Sequence, residues 1–281
     1  MSDTFSFKRF GDYFAYDGRH HLVSFGKALI VCGLVPLICY IMFVLFSYVF
    51  VGEFSSPNIW VRLFLFCIAS GIFFCVSPSK FYGFITDSKE GSAFSMLPVS
   101  GLEKFLSMEL YSLIIIPLAF FALFFTTDAL ICLFDSGCGQ SLIASASEGC
   151  NELVKLLMED NFSQEMLDYG LTQGNVVLFF VFCVILEFLV SIQFFLLCGV
   201  YFKKHKVLYA LIVSFLIQTL LSSILVIFLG SVETMEQTIS ALEDNLGTVV
   251  KWIMILTVLY EIASLALLSV LTYLRIKKIK Y

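Results

Sequence analysis

Long apolar runs alternate with short polar breaks along this chain, and the spacing of the breaks sets its architecture. The runs lie near 26–51, 59–76, 110–134, 176–201, 207–229 and 249–274, the second extending toward Phe84. About 20 apolar residues, rising ~1.5 Å each, cross a hydrocarbon core, so each run predicts a transmembrane helix. Pro36 predicts a kink in the first, which a membrane helix tolerates. The expected fold class is an all-α integral membrane protein: six transmembrane helices, both termini cytoplasmic, and an N-terminal interfacial helix.

The polar stretches divide the rest. Residues 1–25 place Phe7, Phe10 and Phe14 at i, i+3 and i+7 beside Lys8, Arg9 and Arg19. That face predicts an interfacial amphipathic segment ahead of a transmembrane domain at 26–281; a loose aromatic tail is the competing reading. A segment at 77–109 separates the second and third spans, and two larger connections occupy 135–175 and 230–248. In the latter, Val232, Met235, Ile239, Leu242 and Leu246 recur at helical spacing and predict an amphipathic helix with an acidic outer face. Leu153, Leu156 and Leu157 predict a shorter one. These acidic faces read either as solvated surfaces or as a cap that screens cationic ligands.

Composition strengthens the membrane assignment. Apolar residues make up 59% of 281 and charged residues 14%, where a soluble domain carries roughly a quarter. Charge then gives orientation. With the N-terminus inside, 14 of the 17 Lys and Arg fall on inside segments, leaving Arg62, Lys155 and Lys251 outside. A plasma membrane location, the bacterial inner membrane, is expected. Most of the nine cysteines lie in apolar runs, where they act as small hydrophobes. Cys138 and Cys150 share an outside loop and are a candidate disulfide in an oxidising compartment. Asn161-Phe162-Ser163 is a formal glycosylation sequon. No cleavable signal peptide is evident, because about 25 mostly polar residues precede the first apolar run.

Two acids interrupt the spans, Glu187 in the fourth and Glu261 in the sixth. Both helices enter from outside, which puts the carboxyls at comparable depth, roughly 16–18 Å along the axis. Polar stripes accompany them: Glu187, Ser191 and Cys198; Ser214, Gln218 and Ser222; Thr257, Glu261, Ser264 and Thr272. Such groups either hold helices together by hydrogen bonds or line a path coupled to protons. No GxxxxGK[ST], GxSxG or HExxH occurs, and His20, His21 and His205 lie outside the spans. Asp128 sits at the outer end of its span without a catalytic partner. No enzyme activity, cofactor, metal or nucleic-acid partner is expected of this chain.

The remaining signal is the polar stretch Asp87–Leu110. Pro98 fixes its own φ and disfavours helix at Leu97, so the chain turns there. Ser100 is placed to cap a new helix, with Glu103 completing a capping box. Leu97, Pro98, Val99 and Ser100, followed by Leu102, Glu103, Lys104, Phe105 and Leu106, resemble the cytoplasmic segment of permease subunits of ABC-2 type ATP-binding-cassette transporters. Gly101 stands where a basic residue often follows the serine, and Met108-Glu109 where a Gly-Lys pair is frequent. The six spans and the aromatic, basic N-terminus are also similar to that family. The resemblance implies an exporter subunit working as a homodimer or heterodimer, with Leu97–Ser100, Glu103 and Lys104 docking a separate ABC-type ATPase subunit. An ion-coupled secondary carrier using Glu187 and Glu261 is the alternative, and a non-transporting scaffold or sensor the third.

Overall fold

A computed structural model of the chain describes residues 5–86, 88–148, 173–229 and 246–278. Helices follow the apolar runs: α1 (Phe7–Gly33), α2 (Val35–Val51), α3 (Ile59–Tyr82), α4 (Ser88–Met96), α5 (Gly101–Glu109), α6 (Ile116–Phe134), α7 (Gln173–Tyr201), α8 (Lys206–Leu229) and α9 (Leu246–Lys278). No strand occurs among the described residues. Among the described residues five stretches are long and apolar enough to cross a membrane: Ile59–Thr86, Gly101–Phe134, Leu178–Tyr201, Lys206–Ser223 and Lys251–Lys278. Gly26–Gly33 and Val35–Val51 meet at a bend of 42°, and counted as one broken span they make six.

The bend has a local cause. Pro36 lacks an N–H, so the carbonyl one turn earlier loses its partner and the helix breaks at Leu34. Thr127 of α6 donates to the Gly33 carbonyl at 2.8 Å. Gly33 itself lies where a Cβ would stand 2.6 Å from that of Leu123, so only glycine admits this crossing. The basic N-terminal segment is continuous with the first half of this broken span, since α1 runs unbroken from Phe7 to Gly33.

Between α5 and α6 no break falls at Leu110. Leu110–Ile115 is π-helical and joins the two into one rod, with Ile116 N–H reaching the carbonyl of Tyr111, five residues back. Pro117 enters the first turn of α6, where its missing N–H costs least.

Phenylalanine fills the bundle's centre. Phe66, Phe73 and Phe74 on α3 meet Phe120, Phe121, Phe124 and Phe125 on α6, with Phe73 stacked on Phe120 at 4.4 Å. Phe188 of α7 meets Phe74 edge-on at 4.2 Å. Aromatic pairs of this kind add about 0.5–1.5 kcal/mol each beyond area burial. Lower down, α3 and α7 approach closely through small residues: a Cβ on Gly199 would lie 3.1 Å from Cα of Ser79. By contrast the described side chains of α8 (206–223) and α9 (251–278) are mostly exposed or half-buried, with Ala210 of α8 fully buried.

The end that the charge pattern assigns to the outside is pinned by two carboxylates. Arg62 of α3 is buried and donates from Nη1 to Asp128 Oδ1 at 2.9 Å and to Cys132 Sγ at 2.8 Å. Its Nη2 donates to the carbonyls of Cys138 and Gln140, and Asp128 Oδ2 accepts the Leu142 N–H. Asp128 therefore has a partner that the sequence reading did not assign to it. Asp135, just past α6, accepts from Ser56 at 2.6 Å, Tyr40 at 2.8 Å and the Gly137 N–H at 2.9 Å. These bonds hold its carboxyl below the ordinary range, at about 2. Cys138 is buried with its thiol directed at Asp135, and burial with that neighbouring charge raises it to about 11. Cys150, the helices expected around 153–157 and 232–246, and the Asn161 sequon lie outside the described residues, apart from Leu246, which starts α9.

Candidate functional site

The polar stretch between the second and third spans folds as the turn chemistry dictates. The Val99 N–H closes back on the Leu97 carbonyl at 2.7 Å, and Pro98 sits exposed at the turn. Ser100 then caps α5: its Oγ accepts the Glu103 N–H at 3.3 Å, and Glu103 Oε2 accepts the Ser100 N–H at 2.8 Å. The expected capping box is therefore present in full.

Glu103 has a second task. It is fully buried, and Arg9 of α1 grips both its oxygens, Nε to Oε2 at 2.8 Å and Nη2 to Oε1 at 2.7 Å. The Ser6 N–H adds a bond to Oε1 at 2.8 Å. Lys104 also turns inward, donating from Nζ to the Phe94 carbonyl at 2.6 Å and lying 4.9 Å from the centre of the Phe94 ring. These two residues were expected on a docking face, and their burial takes them off it. Each finds its charge partner or carbonyl inside the fold, on α1 and α4. Among the described side chains of residues 91–110, the exposed ones are apolar: Met96 at 77%, Leu102 at 41%, Ala93 and Pro98. Leu97 and Val99 are half-buried against the aromatic core.

A buried carboxylate holds the other side of this junction. Asp17 of α1 accepts from Ser107 of α5 at 2.7 Å and from Tyr82 of α3 at 2.9 Å. Tyr111 donates to the Phe14 carbonyl at 3.0 Å and stacks on the Phe14 ring at 4.5 Å. Burial, with the Asp17 charge beside it, raises the Tyr13 phenol well above its usual value. One helix from the N-terminus is thereby fastened to α3, α5 and the π segment at once.

Within the spans, the structure places Glu187 of α7 beside Glu261 of α9. Glu187 is exposed and Glu261 buried, and Oε2 of Glu261 has no hydrogen-bond partner. The polar stripes do not join this pair into a path. Ser214 bonds the Leu211 carbonyl, Ser222 that of Thr219, Thr257 that of Ile253 and Ser264 that of Glu261, all within their own helices. Gln218 and Ser222 are exposed rather than inward, and Ser191 is half-buried. Short hydroxyls satisfy themselves one turn back, so spacing alone does not show which face they serve.

A different polar contact lies on the bundle side of α7. Gln193, fully buried, donates to Glu109 Oε1 at 2.7 Å and to Thr272 Oγ1 at 3.3 Å, so α7, the end of α5 and α9 meet there. Gln193 was not singled out from the sequence, where a lone amide in an otherwise apolar run was the available signal, and Glu109 was noted only for its place after the capped turn. Among the described residues no group of three or more His, Cys, Asp or Glu could hold a metal.

Fold and site together define an all-helical chain with five to six membrane-length apolar helices and a capped, N-terminally braced turn at one end. Comparison with family models, with curated proteins and with solved structures finds no match.

Proposed function

We propose that this chain is the membrane-spanning permease subunit of an ABC-2 type ATP-binding-cassette exporter. It provides the translocation path, and a separate ATPase subunit hydrolyses ATP. It sits in the plasma membrane, the inner membrane of a bacterium, with both termini cytoplasmic, and works as a homodimer or heterodimer. The observation that carries the reading is the capped turn at Leu97–Glu103. It presents Met96, Pro98 and Leu102 outward while Glu103 locks its base to α1. From Gly101 the rod continues unbroken to Phe134, so a force applied by a partner at the cap passes along one element into the bundle. The ATPase docks on the exposed apolar residues of the turn, and Glu103 and Lys104 act by shaping it.

Co-expression with a candidate cassette ATPase tests this. Leu102→Asp and Met96→Asp should abolish co-purification of the ATPase and substrate export, with thermal stability of the purified chain unchanged. Failure of any cassette ATPase to associate, or export indifferent to both changes, would sink the proposal.

The contact between Glu187 and Glu261 favours a second reading, an ion-coupled carrier in which this pair takes up and releases a proton. It predicts transport driven by a pH gradient without ATP and lost in Glu187→Gln and Glu261→Gln. Under the permease reading, ATP-driven export survives both changes.

A further inference from the structure

At the end that the charge pattern assigns to the inside, α7 stops at Tyr201 and α8 starts at Lys206. Only residues 202–205 separate the two spans, so Lys203 and Lys204 stay at the level where the helices leave the bilayer. The turn is held on both sides. The Phe202 N–H donates to the Cys198 carbonyl at 2.9 Å and the Tyr209 N–H to that of His205 at 3.0 Å. Thr86, just past α3, donates from Oγ1 to the Phe202 carbonyl at 3.3 Å. Tyr201 and Tyr209, both exposed, flank the turn as interfacial tyrosines do.

Arg275 of α9 joins this turn from the side. Its guanidinium carbon lies 5.1 Å from the centre of the Tyr201 ring. Arg9 and Arg62 each hold a carboxylate, but among the described residues Arg275 makes no hydrogen bond and no ion pair. Its Nε is buried, whereas Nη1 and Nη2 keep access to the surface. Lys277 and Lys278 follow in the last turn of α9, both exposed. Five cations therefore surround one tyrosine, and no Asp or Glu occurs in residues 188–229 or 262–281. The C-terminal ends of α7 and α9 carry roughly half a negative charge each, and the N-terminus of α8 offsets one of them, so the cations dominate.

We propose that this group binds the phosphate of an anionic phospholipid in the adjoining leaflet. Nη1 and Nη2 of Arg275 take two phosphate oxygens, a two-point match of guanidinium to phosphate. The four lysines supply the positive field at head-group level. Leu271 and Leu274, exposed one turn deeper on α9, lie where the acyl chains descend. That apolar surface beside the cations favours a lipid over a free phosphate ion, and a zwitterionic head brings its own cation and matches less well. The inference is independent of the permease reading, since it concerns the ends of α7 and α9 and not the capped turn.

The test uses the full chain in phosphatidylcholine nanodiscs with a trace of phosphatidylglycerol carrying a diazirine on its head group. Irradiation should label residues 199–209 and 271–278 more heavily than the opposite end around Trp60 and Phe134. Unlabelled phosphatidylglycerol should compete, while phosphatidylcholine of the same chains and inorganic phosphate in large excess should not. Arg275→Gln should cut the labelling about tenfold, and Arg275→Lys, which keeps the charge and loses the fork, about threefold. Lys203→Gln combined with Lys204→Gln should also lower it severalfold. Equal labelling of both ends, or phosphatidylcholine competing as well as phosphatidylglycerol, overturns the site. Competition by inorganic phosphate as effective as that by the lipid overturns the choice of a lipid. Labelling unchanged in Arg275→Gln and in the double lysine variant overturns the role of these residues. The competition arm needs no variant, so the proposal remains testable if Arg275→Gln does not fold.

Discussion

Arg9 and Glu103, 94 residues apart, form a two-point ion pair that ties the first helix of the chain to the cap of α5. The same carboxylate closes the capping box with Ser100 and accepts the Ser6 N–H. One side chain thus sets both the start of a helix and the position of another. The fork of the guanidinium matches the two carboxylate oxygens, which a lysine could not reproduce.

Glu103→Ala removes all of these bonds together and leaves half-buried donors behind. A loss of roughly 1–2 kcal/mol is expected, from an N-terminal cap worth about 1 kcal/mol and half-buried N–H groups left to find water. Arg9→Ala removes only the grip of α1, so its thermal shift should be smaller while protease cuts within residues 1–25 increase. Equal stability of Glu103→Ala and the parent chain, read by thermal unfolding in detergent, would contradict the arrangement.

Acid should act through Asp135. Hydrogen bonds from Ser56 and Tyr40, with the Gly137 N–H, hold its carboxyl at about 2 against an ordinary value of 3.8. A group lowered in the folded state contributes stability above its unfolded value and loses it as pH falls toward the folded one. Thermal stability should therefore decline between about pH 4 and pH 2, and Asp135→Asn should flatten that segment of the profile. An identical decline in the variant would assign the acid sensitivity elsewhere.

The spans and the Ser100–Glu103 cap were legible in the sequence because each rests on local rules, run length for one and a four-residue capping pattern for the other. Arg9–Glu103 was not, since nothing local distinguishes Arg9 from Lys8 or Arg19 as the partner. Arg62 was read as one of three basic residues outside, and its pairing with Asp128 follows only once α3 lies against α6. The contact of Glu187 with Glu261 was half-legible: helix direction gave the common depth, but facing depends on how α7 and α9 rotate. The hydroxyl stripes were ambiguous for the converse reason: Ser214, Ser222, Thr257 and Ser264 bond within their own helices, whereas Thr272 also accepts from Gln193 of α7.

Gly199 is a position where size, not chemistry, governs. A Cβ there would stand 3.1 Å from Ser79 Cα, backbone that cannot swing aside as a side chain can. Gly199→Ala should push α3 and α7 apart slightly and cost about 1 kcal/mol, and Gly199→Leu several times that. Monodispersity on gel filtration and melting temperature would record the series; a leucine tolerated without loss would mean the helices do not cross there.

The Arg62–Asp128 pair separates what a buried ion pair contributes from what it costs to break. Arg62 is 6% exposed and Asp128 2%, and between them they bond to α6, the loop after it and the backbone of Leu142. Desolvating both charges offsets most of their attraction, so the pair as a whole adds little, yet removing one partner strands the other. Arg62→Leu alone should cost roughly 3–5 kcal/mol and leave the chain poorly folded. Adding Asp128→Leu should recover a large part of that loss, since the stranded charge then disappears from an apolar wall. A complete cycle of the two single variants and the double, measured by thermal unfolding in one detergent, reads the coupling directly. Strict additivity would show that the charges are solvated and that the N-terminal end of α3 does not pack against α6 as described.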